Sequence, residues 1–503
     1  MFQHFKNPEP IKLDLLEKAN SFILVFIPVV VLILVTILHM GVGYDEDEVF
    51  NVTVSQSLSG LFHMFHMYEN NMSLYQVLLH FWMKVFGSSE VATRSLSLLF
   101  AVLTIPVFFQ LERNWLNKTS AFFGALLLAV SQLFVFFSIQ ERGYSLMVLS
   151  VTVSTLLFVK LIQKPEIRTA ILYGLSLGIG AYAHYFAVLI IPVHGLTLLL
   201  TPKYLSKKYI KLYMVAAVVA AVTVSPLILF PPQNKSQIDW ILRPGLRELW
   251  YAYSAIFSSG FVIVFLAVSF LIIGLGYWKK PFPYDYFPEK LGLLWALAPV
   301  MMIYLFSRFI KPIFVPFYFS WTTPGVALLI VFVINYLGKN NFIKFASLIF
   351  LLGIFTWKNT LLFKTKGSGF RDAAGYLNTQ IKPGETVMVY PYFWQLDINY
   401  FLNEKGSTIS EARPVPICDS PFLAGGGGRD PQPSFDLVRQ IAQKRGRIYL
   451  VCDSPNFVSQ INIKQARIWL PTIRSIVGKE HPVHTQMVFG RETQCPVRVI
   501  VFE

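Results

Sequence analysis

Residues 21–42 read SFILVFIPVVVLILVTILHMGV, and they run almost at once into Tyr44-Asp45-Glu46-Asp47-Glu48. From Ser21 to His39 there is no Asp, Glu, Lys or Arg. That is about twenty residues, the length that crosses a bilayer and more than the apolar part of a signal peptide. A polar tail with Lys6, Lys12 and Lys18 precedes it, and no small-residue cleavage pattern follows. The stretch therefore reads as an uncleaved first span with a cytoplasmic N-terminus. Four acids directly after such a span are its second message. Carboxylates at membrane depth are costly and tend to serve function. The plainer reading is that they sit in water on the outer side, because topology depends little on Asp and Glu.

Working outward, the composition agrees with a lipid solvent. Of 503 residues, 54% are hydrophobic and only 14% charged, against about a quarter charged in soluble domains. A net charge of +15 would suggest nucleic acid in a soluble chain. Here Lys and Arg cluster between apolar runs, as the positive-inside rule requires, and nucleic acid is set aside.

Apolar runs fall at 21–42, 91–110, 119–137, 143–163, 169–183, 185–201, 212–231, 251–276, 291–306, 318–337 and 342–358. The sequence thus predicts a polytopic α-helical membrane protein with about eleven transmembrane helices. Alternate threading puts about 17 Lys and Arg in the inner loops and about 7 in the longer outer ones. Lys203, Lys207, Lys208 and Lys211 mark the inner side most clearly, and anionic-lipid binding is the functional alternative for them.

Residues 1–360 are read as the transmembrane domain and 361–503 as a small α/β domain on the outer side, periplasmic in a bacterial inner membrane. Strand patterns appear at Thr386–Tyr390, Arg447–Val451 and Val497–Phe502, with a helical pattern at Phe435–Lys444. Gly425 to Gly428 read as a loop, since prolines follow where a phosphate cradle would need a helix. The cysteines, Cys418, Cys452 and Cys495, fit no zinc spacing. They suit one disulfide with a thiol left over, or three small buried residues.

The loop 43–90 is far longer than any other outer loop. In it Leu74, Val77, Leu78, Phe81 and Val85 recur at helical spacing, as expected of a helix lying in the membrane interface. His63 and His66 stand three apart, a spacing that more often means nothing than a metal. At the same outer level lie Arg142 in Gln140-Glu141-Arg142-Gly143-Tyr144, His184 with Tyr185, Trp240 with Arg243, and Arg308 with Lys311. Each alone reads as an interfacial anchor or structural ion. Arg94 is expected to pair with Glu90 one turn away. Together, acids and cations at one face suggest a site for an anionic, membrane-borne ligand.

Several of these segments, in order, resemble the polytopic GT-C glycosyltransferases. The branch resembled is the bacterial one related to dolichyl-phosphate-mannose–protein mannosyltransferases and to the lipid A aminoarabinose transferase. The resemblance rests on Asp47-Glu48, Ser73-Leu74-Tyr75 leading into Leu78-Leu79-His80-Phe81-Trp82, and Phe86-Gly87-Ser88-Ser89-Glu90 with Arg94 and Ser97. It continues through Gln140 to Tyr144, Ala183-His184-Tyr185 and Phe370-Arg371-Asp372-Ala373-Ala374. It implies a sugar donor linked to polyprenyl phosphate and an essential acid in the first outer loop. That acid maps to Asp47 with Glu48 beside it, and Asp45 with Glu46 is a second register. The chain departs from the family pattern in three places. Gln140-Glu141 stands where Glu-Ala precedes the arginine, Met72-Ser73 replaces a proline pair, and Phe317 replaces an arginine.

On this resemblance Asp47 is the expected base that deprotonates an acceptor hydroxyl. Glu48 would position the acceptor, tune that base or bind a divalent metal, and Glu141 is a secondary candidate. Arg142, Arg308 and Lys311 would stabilise the leaving phosphate, and Tyr144 and His184 would bind sugar or phosphate. In-line attack would invert the anomeric carbon. The expected acceptor is a lipid, glycan or protein. The alternatives are a flippase for lipid-linked saccharides, which should show broken or charged mid-membrane helices in repeats, and a non-catalytic assembly subunit.

Overall fold

The computed structural model describes residues 10–233, 241–277, 287–337, 340–365, 369–382, 384–390, 394–404, 415–416, 435–453, 463–489 and 497–503. Trp240, Gly425 to Gly428, Cys418 and Cys495 lie outside them, while Cys452 is buried.

Helices dominate the chain up to Thr365. Among the described residues six are long and apolar enough to cross a membrane: Glu90–Glu112, Tyr144–Gln163, Lys207–Leu229, Phe287–Phe309, Pro316–Tyr336 and Asn341–Phe363. The pair Leu246–Ile256 and Gly260–Ile273, bent by 85°, makes a seventh if it is one span. Shorter apolar helices occupy Ser21–Ile37, Lys118–Ala129, Ile167–Ala183 and Tyr185–Leu199. Length and composition thus give six or seven candidate spans among the described residues, and the expected eleven would require the short helices to cross as well.

Helix starts follow local chemistry. The Ser89 hydroxyl accepts from Ala92 N, and the Asn117 amide oxygen accepts from Ser120 N. Such caps satisfy donors that the first turn leaves free. Prolines 28, 106 and 299 sit inside helices of the bundle, a placement that neighbouring helices make tolerable in a membrane.

The loop 43–90 folds into helices Glu46–Val54, Leu58–Met67 and Ser73–Phe86. The last turns its polar side inward. Ser73, Tyr75, Gln76 and His80 are buried, whereas Phe81 and Val85 are exposed. That is the orientation of a helix whose apolar face meets lipid.

Among its described residues the C-terminal domain holds five strands: β1 (Thr386–Tyr390), β2 (Val415–Pro416), β3 (Ile448–Asp453), β4 (Val483–Phe489) and β5 (Val497–Phe502). Their order is β2-β1-β3-β5-β4; β1 runs parallel to β2 and β3, and β5 antiparallel to β3 and β4. Side chains alternate between two cores, as a strand's period of two dictates. Val387, Val389, Tyr449, Val451, Val497, Val499 and Val501 enter one, with helices Phe370–Gln380 and Trp394–Glu404. Met388, Leu450, Ile500 and Phe502 enter the other, with Phe435–Ala442 and Ile463–Glu480. The first core also takes in Tyr44, Val49 and Val52. The C-terminal domain therefore sits at the end of the bundle that carries Asp47. The helix Asn341–Thr365 runs through residue 361, and the domain's own core begins at Phe370.

Candidate active site

The acidic run is split by its own helix. Asp45 is the N-cap of Glu46–Val54; its carboxylate accepts from Glu48 N at 3.1 Å, and Glu48 answers by accepting from Asp45 N at 3.0 Å. This capping box fixes the first turn. It also turns the Glu48 side chain inward, where it is 1% exposed.

Glu48 meets Arg94, itself fully buried, with Nη2 to Oε2 at 2.6 Å and Nε to Oε1 at 3.1 Å. Glu141 lies 3.5 Å from the same Nε and accepts from Thr93 Oγ1 at 2.6 Å. Arg94 Nη1 also donates to the carbonyls of Met40 and Val42. Arg94 is thus paired with Glu48 and Glu141, not with Glu90 as expected. Two carboxylates and two carbonyls inside the bundle outweigh one carboxylate on its own helix, and Glu90 pairs with Arg371 instead. Gln140 Nε2 donates to Asp45 Oδ2 at 3.0 Å, which ties the second acid register to the same layer.

Asp47 points the other way. Its carboxylate is 66% exposed and stands 2.9 Å from Arg142 Nη1. The Arg142 guanidinium lies 5.8 Å from the centroid of the Tyr144 ring. Tyr144, His184 and Tyr318 form one aromatic group, with centroids 5.4 to 6.0 Å apart. His184 Nδ1 accepts from Phe186 N at 3.0 Å, so the proton of the neutral ring is on Nε2. Among the described residues Nε2 has no hydrogen-bond partner, and neither has Arg142 Nε.

The two turns meet because of Gly143. A Cβ there would come within 2.4 Å of the Ala183 carbonyl and 2.9 Å of Met72 Cγ. Met72 holds a left-handed φ of 63° and accepts from Gly143 N through its sulfur at 3.3 Å. This contact seats Arg142 beside His184.

Two members escaped the sequence reading. Glu69 interacts electrostatically with both Arg142 and Asp47; burial raises its pKa, Arg142 lowers it and Asp47 raises it. Its signal was available, since it is the one acid between Glu48 and Glu90. Tyr318 arrives from the 3₁₀ turn Pro316–Thr322, a non-local contact that no pattern announces. Arg308 and Lys311 are exposed at the end of Phe287–Phe309 and just beyond it. Among the described residues their side chains form no ion pair with this cluster. His63 and His66 are exposed, and no group of three or more His, Cys, Asp or Glu among the described residues could hold a metal ion. Among the described residues the side chains of this site do not make up a metal centre.

Behind the acids lies Asp397, from the helix Trp394–Glu404. It is 1% exposed and neither carboxyl oxygen has a hydrogen-bond partner among the described residues. Burial pushes its pKa well up, and Glu46, Asp45 and Asp47 push in the same direction.

The sequence profile of the family described as Dolichyl-phosphate-mannose-protein mannosyltransferase matches residues 73–230, a stretch that includes Arg94, Arg142 and His184. No curated protein matches in sequence. Among solved structures, ArnT from Cupriavidus metallidurans bound to undecaprenyl phosphate is similar, with a TM-score of 0.57, 12% identity, and coverage of 95% of this chain and 97% of that one. The oligosaccharyltransferase of Archaeoglobus fulgidus in complex with zinc and sulfate gives 0.58, 14%, 91% and 71%. The same organism's AglB with an inhibitory peptide and a dolichol-phosphate gives 0.50, 12%, 86% and 69%. The resemblance first carried by short sequence segments is thus found again in a family profile over residues 73–230 and in the architecture, and the chain shares the overall fold of ArnT and of the archaeal oligosaccharyltransferase.

Proposed function

We propose that the protein transfers a sugar from a polyprenyl-phosphate-linked donor to an acceptor at the membrane face carrying the loop 43–90. The observation that carries this reading is the pair Asp47–Arg142, an exposed carboxylate and a cation within 2.9 Å on a shared rim. The solved structures support the donor class, since ArnT was captured with undecaprenyl phosphate and AglB with a dolichol-phosphate.

The residues divide the work. The donor phosphate, an anion, takes Arg142 as its partner and leaves Asp47 free to accept the proton of an acceptor hydroxyl. Carboxylate bases of this kind act at hydrogen-bond distance. As the sugar–phosphate bond breaks, negative charge grows on the leaving phosphate. Arg142 stabilises it from a largely buried position, where a fixed charge acts more strongly than in water. Nε2–H of His184 and the Tyr144 hydroxyl are donors on the same side. Attack opposite the leaving group inverts the anomeric carbon. Glu69 is the second carboxylate of the site and orients the acceptor. Glu48 and Glu141 hold Arg94 and act on Asp47 only through its helix. Arg308 and Lys311 guide the anionic head group from farther out. The loop 43–90 and the C-terminal domain lie on the periplasmic side of a bacterial inner membrane in this reading, with all eleven apolar helices crossing.

The test is transfer by purified protein from radiolabelled polyprenyl-phosphate sugars to a membrane extract. Label moving to a lipid, glycan or protein fraction supports the reading and identifies the acceptor class. Lipid-linked sugar crossing sealed vesicles without transfer would replace it with a flippase.

A further inference from the structure

Residues 38–45, which join the first apolar helix to Glu46–Val54, form turns and extended chain without a helix of their own. Their carbonyls are held from two sides. From within the bundle Arg94 takes those of Met40 and Val42. Between them, the Gly41 carbonyl accepts from Arg371 Nη1 at 3.3 Å. Arg371 belongs to the first helix of the C-terminal domain, Phe370–Gln380. Its guanidinium also pairs with Glu90, at the start of Glu90–Glu112, and lies 5.7 Å from the Phe401 ring centroid. A Cβ on Gly43 would stand 3.5 Å from Arg371 Cβ, so the two backbones nearly touch.

We propose that Arg371 is a positioning residue for Asp47. It clamps the segment leading into Glu46–Val54 between the C-terminal domain and the bundle, so that the domain sets where the acid stands. This rests on reading Asp47 as the site's acid. The apolar contact of Trp394, Ile398 and Phe401 with Tyr44, Val49 and Val52 already docks the domain. Arg371 is 32% exposed but its partner Glu90 only 10%, so removing the arginine also leaves a buried carboxylate unpaired and lowers stability. The apolar contact keeps the domain docked, and the segment is loosened. A displacement of about 1 Å in a catalytic group is enough to slow a reaction by about a hundredfold.

The experiment compares wild type, Arg371→Ala, Asp47→Asn and the double variant Gly43→Cys with Arg371→Cys. All are made with the three native cysteines replaced by alanine. A Cβ separation of 3.5 Å lies within disulfide range, so oxidation of the double variant substitutes a covalent clamp for the ionic one. Amide hydrogen exchange of residues 41–48, the melting temperature and sugar transfer are read together. In Arg371→Ala, exchange is expected to rise by about tenfold or more, a local opening. kcat is expected to fall by about tenfold or more, with KM for the polyprenyl-phosphate donor unchanged. The double variant recovers both when oxidised and loses both when reduced. A lower melting temperature with unchanged kcat assigns Arg371 a structural role only and overturns the proposal. Unchanged exchange overturns it whether or not transfer is seen. Full activity in Asp47→Asn defeats the reading of Asp47 itself, and the proposal with it. Loss in Asp47→Asn beside an unaffected Arg371→Ala defeats the proposal alone.

Discussion

Asp47 and Glu48 are consecutive in the chain, yet their carboxylates face opposite surroundings. One reaches a two-thirds-exposed rim and Arg142; the other is sealed against Arg94. A helix turns about 100° per residue, and the capping box at Asp45 fixes the phase that sends Glu48 inward. Chemistry and scaffolding thus occupy neighbouring positions and should separate on substitution. Asp47→Asn is expected to lower sugar transfer by about a hundredfold or more while leaving the melting temperature intact. Glu48→Gln removes the charge that balances a buried arginine, and is expected to destabilise by about 3–5 kcal/mol. Transfer assays and thermal unfolding in detergent check both, and a Glu48→Gln protein that melts like wild type would contradict the assignment.

Arg142 should act on the phosphate, whatever sugar is carried. Arg142→Gln is expected to cut kcat by about a hundredfold and to weaken inhibition by free polyprenyl phosphate. Arg142→Lys keeps the charge but not the planar fork, and should recover only part of the loss. If product inhibition is unchanged in Arg142→Gln, the phosphate binds elsewhere.

Gly143→Ala probes the meeting of two turns. The new methyl would overlap the Ala183 carbonyl at 2.4 Å, and backbone has to move. The Arg142 turn then separates from His184. Transfer is expected to fall by about a hundredfold, as for other small displacements of catalytic groups. His184→Ala leaves the turns in contact and should cost less. Steady-state kinetics on the two variants gives the order.

Asp397 gives a pH signature. Its pKa in the folded protein is raised, so its contribution to stability is fully present below the ordinary carboxyl value, about 3.9. That contribution is lost as pH rises through the raised value, because ionisation in the fold is resisted while the unfolded chain ionises freely. Asp397→Asn has nothing to ionise. It is expected to melt at about the same temperature as wild type near pH 4 and above it at pH 8. A melting difference that does not depend on pH would show that Asp397 finds a compensating partner.

Much of this architecture could be read in advance because lipid imposes simple rules. Apolar length marks the helices of the bundle. The residues of the rim were legible only in part. Asp47, Arg142, Tyr144 and His184 come together, because each lies at a break between apolar runs on the same face. Which of two adjacent acids turns inward depends on a cap and a buried arginine 46 residues away, and no local pattern encodes that. β4 went unseen as well. Its sequence, Val483-His484-Thr485-Gln486-Met487-Val488-Phe489, is largely exposed and lacks the apolar run that betrays β3 and β5. The Arg371–Gly41 contact spans 330 positions, so only the folded chain brings it about.

β5 lies inside the sheet, between β3 and β4, and it feeds both cores of its domain. Neither core can close before residues 497–502 have been made and have joined the sheet. The helix bearing Asp47 shares one of those cores through Val49 and Val52. During translation the bundle can insert helix by helix, yet this short helix waits uncovered for β5. Biogenesis therefore runs in a loop. The helix bearing Asp47 is made long before β5 yet is completed only with it, and a chain stalled before residue 497 would reside in the membrane without its acid in place.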